Sequence, residues 1–420
     1  MSDRADVVVV GAGVIGLASA WRMAQRGLSV TVVDPAPGGG ASAVAAGMLA
    51  PVTEARLGED ALLRLNLASW RRWPAFAAEV EAAGGGSIGY RAHGTLVLAV
   101  DGDDRSLLDD LVARQRAMGL EVTTLRGREA RAAEPGVAPG VRAGAVAAGE
   151  RSVDPEALVA ALVRAAAGAG VTSVAGRVDR VLTEPGATAP GGPGSAGSPN
   201  GGGRVRGVAL DGGAVVEAPW VVVAAGSWSA GLAGLPADVR PPVRPVKGEI
   251  LVLRQPPGEP LITRTLRGIV HGSSIYLVPR DDGRVVVGAT VGERGWDTRV
   301  TAGGTYELLR DALALVPGLD DAELVAARTG LRPGSPDDLP ILGTSTVGGL
   351  VLATGHYRSG ILLTPISADA VAAVVTGEPV PPEVLACDPG RFARGAGGGA
   401  ATSHPHGGPR RSVPVQEVAP

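Results

Sequence analysis

Gly11, Gly13 and Gly16, followed 18 residues later by Asp34, form the spacing in this chain that points most directly to chemistry. Gly11 permits a tight turn out of a strand. Gly13 has no Cβ, so a pyrophosphate can approach the backbone. Gly16 lets a helix pack closely on a sheet, and that helix offers free N–H groups and a partial positive charge to phosphate oxygens. Asp34 stands where a carboxylate accepts hydrogen bonds from a ribose 2′-hydroxyl. A carboxylate there disfavours a 2′-phosphate, so the pattern reads as a site for FAD or NAD rather than NADP. GxGxxG alone also occurs in ordinary parallel-sheet turns; here two strands, a helix and the acid are in register with it.

Three further side chains could meet a substrate. Arg332 lies in Gly330-Leu331-Arg332-Pro333-Gly334, a loop fixed by proline and glycine. Arg358 lies inside a second glycine turn at 355–360, and Tyr276, one of four tyrosines, in Ile275-Tyr276-Leu277-Val278-Pro279. A guanidinium gives planar, bidentate recognition of a carboxylate, and a tyrosine hydroxyl can add a neutral donor. Spacing alone equally allows a surface salt bridge for each arginine and an apolar sheet position for Tyr276. The small residues of 41–51 suit backbone lying against a flat ligand, or a small-residue helix packed on the sheet.

The elements that must position these residues follow from patterning. The β-branched runs at 7–10 and 30–33 read as strands around a helix at 17–25. Residues 221–229 are a buried strand ending in a small-residue turn. Residues 350–354 form another buried, parallel-type strand, followed by the 355–360 turn and a helix at 361–375. In open α/β sheets, ligands bind beyond the carboxyl ends of the strands. With both glycine turns on one sheet, one helix N-terminus would hold a pyrophosphate. The other could stabilise negative charge at N1–C2=O of a reduced flavin. A nicotinamide cofactor needs no second turn, so the pairing favours flavin.

The remaining pattern supplies the frame. A helix at 60–83 turns Leu62, Leu63, Leu67, Trp70 and Trp73 inward, which makes the tryptophans core residues. Residues 88–100 read as strands and 103–118 as an amphipathic helix with Leu107, Leu108, Leu111 and Val112 inward. Asp154-Pro155-Glu156 starts a helix that runs to about Gly168. Strands are expected at 171–174, 176–182, 205–210 and 215–218. From Val243, short strands at 248–253, 263–270, 274–279 and 284–291 follow without helices between them, so this sheet should be antiparallel. A helix is expected at 305–315. Residues 185–203 and 391–420 are expected to be a disordered insertion and tail; His404 and His406 in that tail are not expected to bind metal. The expected fold is α/β (α+β overall). A Rossmann-like FAD-binding domain would comprise 1–85, 145–240 and 325–390, and a substrate domain on an antiparallel β-sheet 86–144 and 241–324.

Composition narrows the classes. The chain has 420 residues, 45% hydrophobic, and a net charge of −3, so neither nucleic acid nor an anionic membrane is an expected partner. Lys247 is the one lysine and Cys387 the one cysteine, which excludes an intrachain disulfide, a CxxC redox pair and a cysteine-rich zinc site. The longest apolar stretch, 220–235, is interrupted by Gly226, Ser227, Ser229 and Gly231 and is too short to span a bilayer. No signal peptide is evident, and a cytoplasmic protein is expected.

Seven segments carry a resemblance: VVVVGAGVIGLASAWRMAQRGLSVTVVD (7–34), ASAVAAGMLAP (41–51), VVVAAGSWS (221–229), PVKGEILVL (245–253), IYLVPRDDGRVVVGATVGERGWD (275–297), TGLRPGSPDDLPILG (329–343) and TGHYRSGILLTP (354–365). Together they resemble the FAD-dependent D-amino-acid oxidase/sarcosine oxidase superfamily and, within it, the glycine oxidases of ThiO type. The resemblance implies that Val14 and Ile15 contact the pyrophosphate and that Asp34 and Pro35 lie at the adenosine ribose. It places Ala41, Ser42, Ala46, Gly47 and Met48 along the flavin and Val178 at the adenine side. His356, Tyr357, Arg358, Ser359, Gly360, Ile361 and Leu362 would wrap the ring. Arg332 would bind the substrate carboxylate, assisted by Tyr276, and Arg358 would lie next to substrate and flavin. The implied reaction is oxidation of glycine to iminoglycine, with hydride transfer from Cα to flavin N5 and reoxidation by O2 to peroxide. The imine hydrolyses to glyoxylate and ammonia or enters thiazole assembly for thiamine. The cysteine that binds flavin covalently in monomeric sarcosine oxidase has no match, so non-covalent FAD is implied, and the family suggests a homotetramer. Many members carry Glu where Asp34 stands. Competing readings are a sister oxidase of sarcosine, proline or D-amino acids, a flavin-binding protein without turnover, and a dehydrogenase that passes electrons to a quinone.

Overall fold

The structure is a computed structural model that describes residues 5–184 and 203–392. The expected insertion, apart from Gly203, and the tail beyond Phe392 with His404 and His406 lie outside the described residues.

The β-branched run Val7–Val10 is the middle of a six-stranded sheet. It pairs in parallel with Val30–Asp34 on one side and Trp220–Val223 on the other. Leu350–Thr354 extends the sheet in parallel beyond Trp220–Val223 and Thr172–Ala175 beyond Val30–Asp34, while Ile341–Thr344 closes one edge antiparallel. Strands buried on both faces read as continuous apolar runs, and these do. Val7, Val9, Val32 and Val351 face the helices Val14–Ala24, Pro155–Gly168 and Thr364–Thr376. Val8, Val10, Val33 and Leu352 alternate to the other face, where Val178–Glu184, Arg204–Leu210 and Val215–Glu217 form a three-stranded antiparallel sheet.

A second, eight-stranded sheet has the order Glu323–Gly334, Arg244–Arg254, Arg284–Gly288, Ser273–Pro279, Thr265–Val270, Thr95–Ala99, Ala143–Ala147, Thr123–Arg126. It departs from the expected wholly antiparallel sheet in one pair: Thr265–Val270 runs parallel to Thr95–Ala99, because a long crossover, not a hairpin, joins them. The sheet also takes in Glu323–Gly334, which crosses the boundary expected at 325. The helix Ala302–Leu315 covers one face through Leu308, Ala312 and Leu315.

Most expected elements are present, and the misses have local causes. Of residues 88–100 only Thr95–Ala99 is a strand, since Gly89 and Gly94 adopt positive φ and break the run. The last helix starts at Thr364 rather than 361. Pro365 is tolerated only in a first turn, and 357–359 is a short 3-10 turn. Leu107 is exposed on Gly102–Ala117 while Leu108 and Val112 are buried. On Asp60–Gly84, Leu65 rather than Leu67 takes the fully buried position. Trp73 is fully buried and donates from Nε1 to the Leu362 carbonyl at 2.8 Å, a core role as expected. Asp154 caps Pro155–Gly168 by accepting from Glu156 N at 2.9 Å. No helix among the described residues is long and apolar enough to cross a membrane.

Candidate active site

A cavity of about 650 Å³ crosses the carboxyl ends of the six-stranded sheet and ends against the eight-stranded one. The turns after Val7–Val10, Trp220–Val223 and Leu350–Thr354 meet there, so both glycine turns do share one sheet. Gly11 has φ +106°, and a Cβ would lie 2.5 Å from the Ala224 carbonyl oxygen of the next strand. Only glycine fits that turn. Gly13 precedes the first helix without a side-chain cap of its own, and Val14 N instead donates to Ser42 Oγ at 3.2 Å. Asp34 is held at the end of its strand: Oδ2 accepts from Ala12 N and Oδ1 from Ala36 N, both at 2.7 Å.

Residues 40–48 form the wall between the two sheets. The alternative of a helix packed on the sheet is excluded, because Gly40–Val44 is a single 3-10 turn and Ala45 is extended. Arg280, buried in the eight-stranded sheet, donates from Nη2 to the Ala46 carbonyl at 2.6 Å and pins this wall.

The eight-stranded sheet supplies the opposite wall. Gly330, Gly248 and Gly288 lie on three neighbouring strands. A Cβ at each would overlap, in turn, Val44, the Arg332 guanidinium and the Tyr276 hydroxyl. The glycines thus open a trough in the sheet face, and Arg332 and Tyr276 lie in it. Arg332 Nη1 donates to the carbonyls of Thr290 at 3.2 Å and Lys247 at 3.4 Å, and no carboxylate among the described residues pairs with it. Burial raises the Tyr276 hydroxyl above the ordinary tyrosine range, and the Arg332 charge pulls it part of the way back.

Arg358 differs from Arg332. It lines the cavity, yet Nη1 donates to Asp338 Oδ2 at 3.1 Å and Nη2 to Glu59. Its guanidinium is thus ion-paired, but in a largely buried network at the cavity and not in the surface salt bridge that spacing allowed. Burial would lower its pKa, but Glu54, Glu59 and Asp338 outweigh that and hold it above the usual arginine value. His356 is buried, with Nε2 2.9 Å from Ser367 Oγ; desolvation pushes its pKa down to about 3, so the imidazole is neutral at physiological pH.

Gly11, Gly13, Val14, Ile15, Asp34, Pro35, Ala41, Ser42, Ala46, Gly47, Met48, Val178, Tyr276, Arg332, His356, Tyr357, Arg358, Gly360 and Ile361 all line the one cavity. Gly16, Ser359 and Leu362 do not. A Cβ at Gly16 would overlap the Gly11 carbonyl, so its role is helix-to-strand packing. Leu362 turns its carbonyl to Ser69 and Trp73. Sequence reasoning missed Glu54 and the pair Trp228 and Trp296, which also line the cavity; the two indole rings are 5.5 Å apart. Trp228 and Trp296 stand inside two of the quoted motifs, 221–229 and 275–297, and Glu54 three residues after 41–51, but nothing in their spacing marks them as cavity residues. Cys387 is buried and lines no part of the cavity.

Comparison with known proteins agrees with this geometry. Residues 6–374 match the DAO family, described as FAD dependent oxidoreductase. The chain is 33% identical over 396 residues to the bifunctional protein ThiO/ThiG of Synechocystis sp., covering 93% of this chain and 55% of that protein. It thus spans about half the length of these bifunctional relatives. It is 35% identical over 380 residues to glycine oxidase of Geobacillus kaustophilus, covering 89% of this chain and 94% of that one. The crystal structure of that glycine oxidase superposes with a TM-score of 0.80 over 93% of this chain and 99% of its own. Iminodiacetate oxidase from Chelativorans sp. BNC1 is also similar, at 29% identity and a TM-score of 0.76 over 91% of this chain and 98% of its own.

Proposed function

The chain belongs to the DAO family of FAD dependent oxidoreductases, and from that premise we propose that it is an amino-acid oxidase whose substrate is glycine. The net reaction is glycine, O2 and water to glyoxylate, ammonia and H2O2, with the imine as the species released before hydrolysis. The observation that carries this reading is Arg332, a guanidinium without a carboxylate partner among the described residues, beside the Tyr276 hydroxyl in the cavity wall.

The residues present fit FAD. Gly11 and Gly13 leave the backbone open at the start of a helix, and Asp34 stands on the next strand with its carboxylate fixed by two amides. The cavity volume lies within the range of cofactor sites, about 300–1,000 Å³. Gly11, Gly13, Val14 and Ile15 would hold the pyrophosphate, Asp34 and Pro35 the ribose, Val178 the adenine, and Ala46 to Met48 with His356 to Ile361 the ring. When bound, FAD would supply the two-electron oxidant for the substrate Cα–H bond, with O2 as the terminal acceptor.

The chain's own part is orientation and charge. Arg332 takes the substrate carboxylate through two N–H groups, and Tyr276 adds a neutral donor. Burial keeps that hydroxyl protonated over the working pH range. Arg358, saturated by Glu59 and Asp338, serves as a fixed part of the wall and not as the carboxylate ligand. His356 stays neutral and places no charge against the ring. The likeness to ThiO supports a place for the imine in thiazole assembly for thiamine, and the family pattern supports a cytoplasmic homotetramer.

The test is the visible spectrum of the purified protein before and after anaerobic glycine. A flavin spectrum bleached by glycine is the expected result. A flavin bleached by sarcosine, proline or a D-amino acid but not glycine would move the substrate to that amine. A protein that cannot be reconstituted with FAD would overturn the reading.

A further inference from the structure

The cavity that Arg332 lines also holds a carboxylate to which the reading above gives no task. Glu54 lines the cavity with Tyr276, Arg332 and Arg358. Its side chain is 17% exposed. Oε1 accepts from Arg267 Nη1 at 2.7 Å, and Oε2 accepts from no described side chain or amide. A carboxylate oxygen has two lone pairs and normally uses them. The charge of Glu54 is felt across the site: it raises the pKa of Tyr276, after burial and Arg332 have acted on it, and is the leading influence opposing desolvation at Arg358.

The charges here balance. Arg267, Arg332 and Arg358 bring three guanidinium groups, and Glu54, Glu59 and Asp338 three carboxylates. Glu59 and Asp338 are consumed by Arg358. Arg332 therefore remains as the open donor and Glu54 Oε2 as the open acceptor. A ligand that carries a carboxylate alone would leave the site with uncompensated negative charge. A ligand with zero net charge and opposite ends, an α-amino acid zwitterion, would leave it neutral and occupy both open groups.

We propose that Glu54 is the receptor for the substrate's ammonium group, so that Arg332 and Glu54 together select a zwitterionic monocarboxylate amine over a simple carboxylate. This rests on the amino-acid oxidase reading and adds the residue that recognises the amine. Glu54 acts in binding and orientation; it fixes which substituent of Cα points away from the Arg332-bound carboxylate.

Glu54→Gln tests it in the holoprotein. Glutamine keeps the shape and an oxygen for Arg267, and removes the charge. The dissociation constant of glycine is read anaerobically from the concentration dependence of flavin reduction, and that of acetate from its perturbation of the oxidised flavin spectrum. The expected result is glycine weakened roughly tenfold or more, with acetate unchanged or tighter. Equal weakening of both ligands, or no change in glycine, would overturn the proposal, because a residue that merely supports the wall does not tell them apart. Should the glutamine variant lose FAD, Glu54→Asp gives the same comparison: the charge stays but retracts, so glycine alone should weaken. If glycine binds the wild type without reducing the flavin, its constant is read from the same spectral perturbation. That outcome would refute glycine oxidation and leave the Glu54 assignment to be decided by the ratio of the two constants.

Discussion

Gly248→Ala isolates the role of the trough in the eight-stranded sheet. Gly248 has ordinary strand φ, so alanine brings no backbone strain. Its new Cβ would overlap Nη1, Nη2 and Cζ of Arg332, the mobile end of a long side chain. The guanidinium would need to retreat by about 1 Å to regain van der Waals separation. It cannot do so and keep both the Thr290 and Lys247 carbonyls as acceptors. Folding should suffer little, within about 1 kcal/mol, because a side-chain end and not backbone gives way. Catalysis should suffer more, since a 1 Å misplacement of a positioning group can cost about 100-fold. The assay is kcat/KM for glycine by peroxide release, with Tm and bound FAD measured on the same samples. The expected outcome is a fall of about 10- to 100-fold, carried mainly by KM, with FAD retained. For comparison, Arg332→Ala should remove the charge altogether and cost about 2–5 kcal/mol of substrate binding. An unchanged kcat/KM in Gly248→Ala would refute the claim that this glycine exists to seat Arg332.

Other perturbations separate cofactor, substrate and stability. Gly16→Ala should lower both Tm and FAD content, because its Cβ meets the rigid Gly11 carbonyl, at about 1–3 kcal/mol for overpacking; differential scanning calorimetry and the visible flavin absorbance read the two. Asp34→Ala strands the Ala12 and Ala36 amides and should weaken FAD retention by about 1–3 kcal/mol, measured by flavin release on dilution. Tyr276→Phe should weaken glycine by about 1 kcal/mol, equally at pH 7 and pH 9, since burial holds the hydroxyl protonated across that range. His356 is held neutral in the fold, with its pKa pushed down to about 3 against 6.5 for an ordinary histidine. The unfolded chain therefore binds the extra proton between those values. The contribution is fully present above pH 6.5 and is lost as pH falls towards 3, by about 1.4 kcal/mol per pH unit. His93, pushed down to about 4, adds to the wild-type slope, so denaturant titrations from pH 7 to pH 4 should show a slope in His356→Gln that is shallower than wild type by about that amount.

The two arginines show how far residue type carries. Arg332 and Arg358 each stand two residues before a glycine in a glycine-bounded motif, and both line the cavity, although Arg332 lies on the strand Glu323–Gly334 and not in the expected loop, because 330–334 pairs in register with Arg244–Arg254. Nothing in their spacing separates a free guanidinium from a neutralised one. Glu59 and Asp338, which neutralise Arg358, come from a loop before the long helix and from a turn after the last strand of the second sheet. Glu54 is equally silent in sequence. It follows the GMLAP segment by a few residues, and only the approach of Thr265–Val270 brings Arg267 to it.

What the chain determines by itself is what local chemistry can encode. The buried parallel strands follow from β-branched runs, the first helix from its glycine turn, the Pro155–Gly168 helix from Asp154 and Pro155, and the cofactor class from Gly11, Gly13 and Asp34. Each of these depends on neighbours within one or two turns of chain. The tertiary structure decided the rest. It made Gly248 and Gly288 into the floor of a trough, because register sets Gly248 beside the Arg332 side chain and Gly288 beneath Tyr276. It ran Thr265–Val270 parallel to Thr95–Ala99, left Arg332 without a carboxylate partner among the described residues and Arg358 with two, and assembled the charge balance around Glu54. These depend on strand register and long-range electrostatics, in which the partner of a side chain lies tens or hundreds of residues away and no local pattern names it.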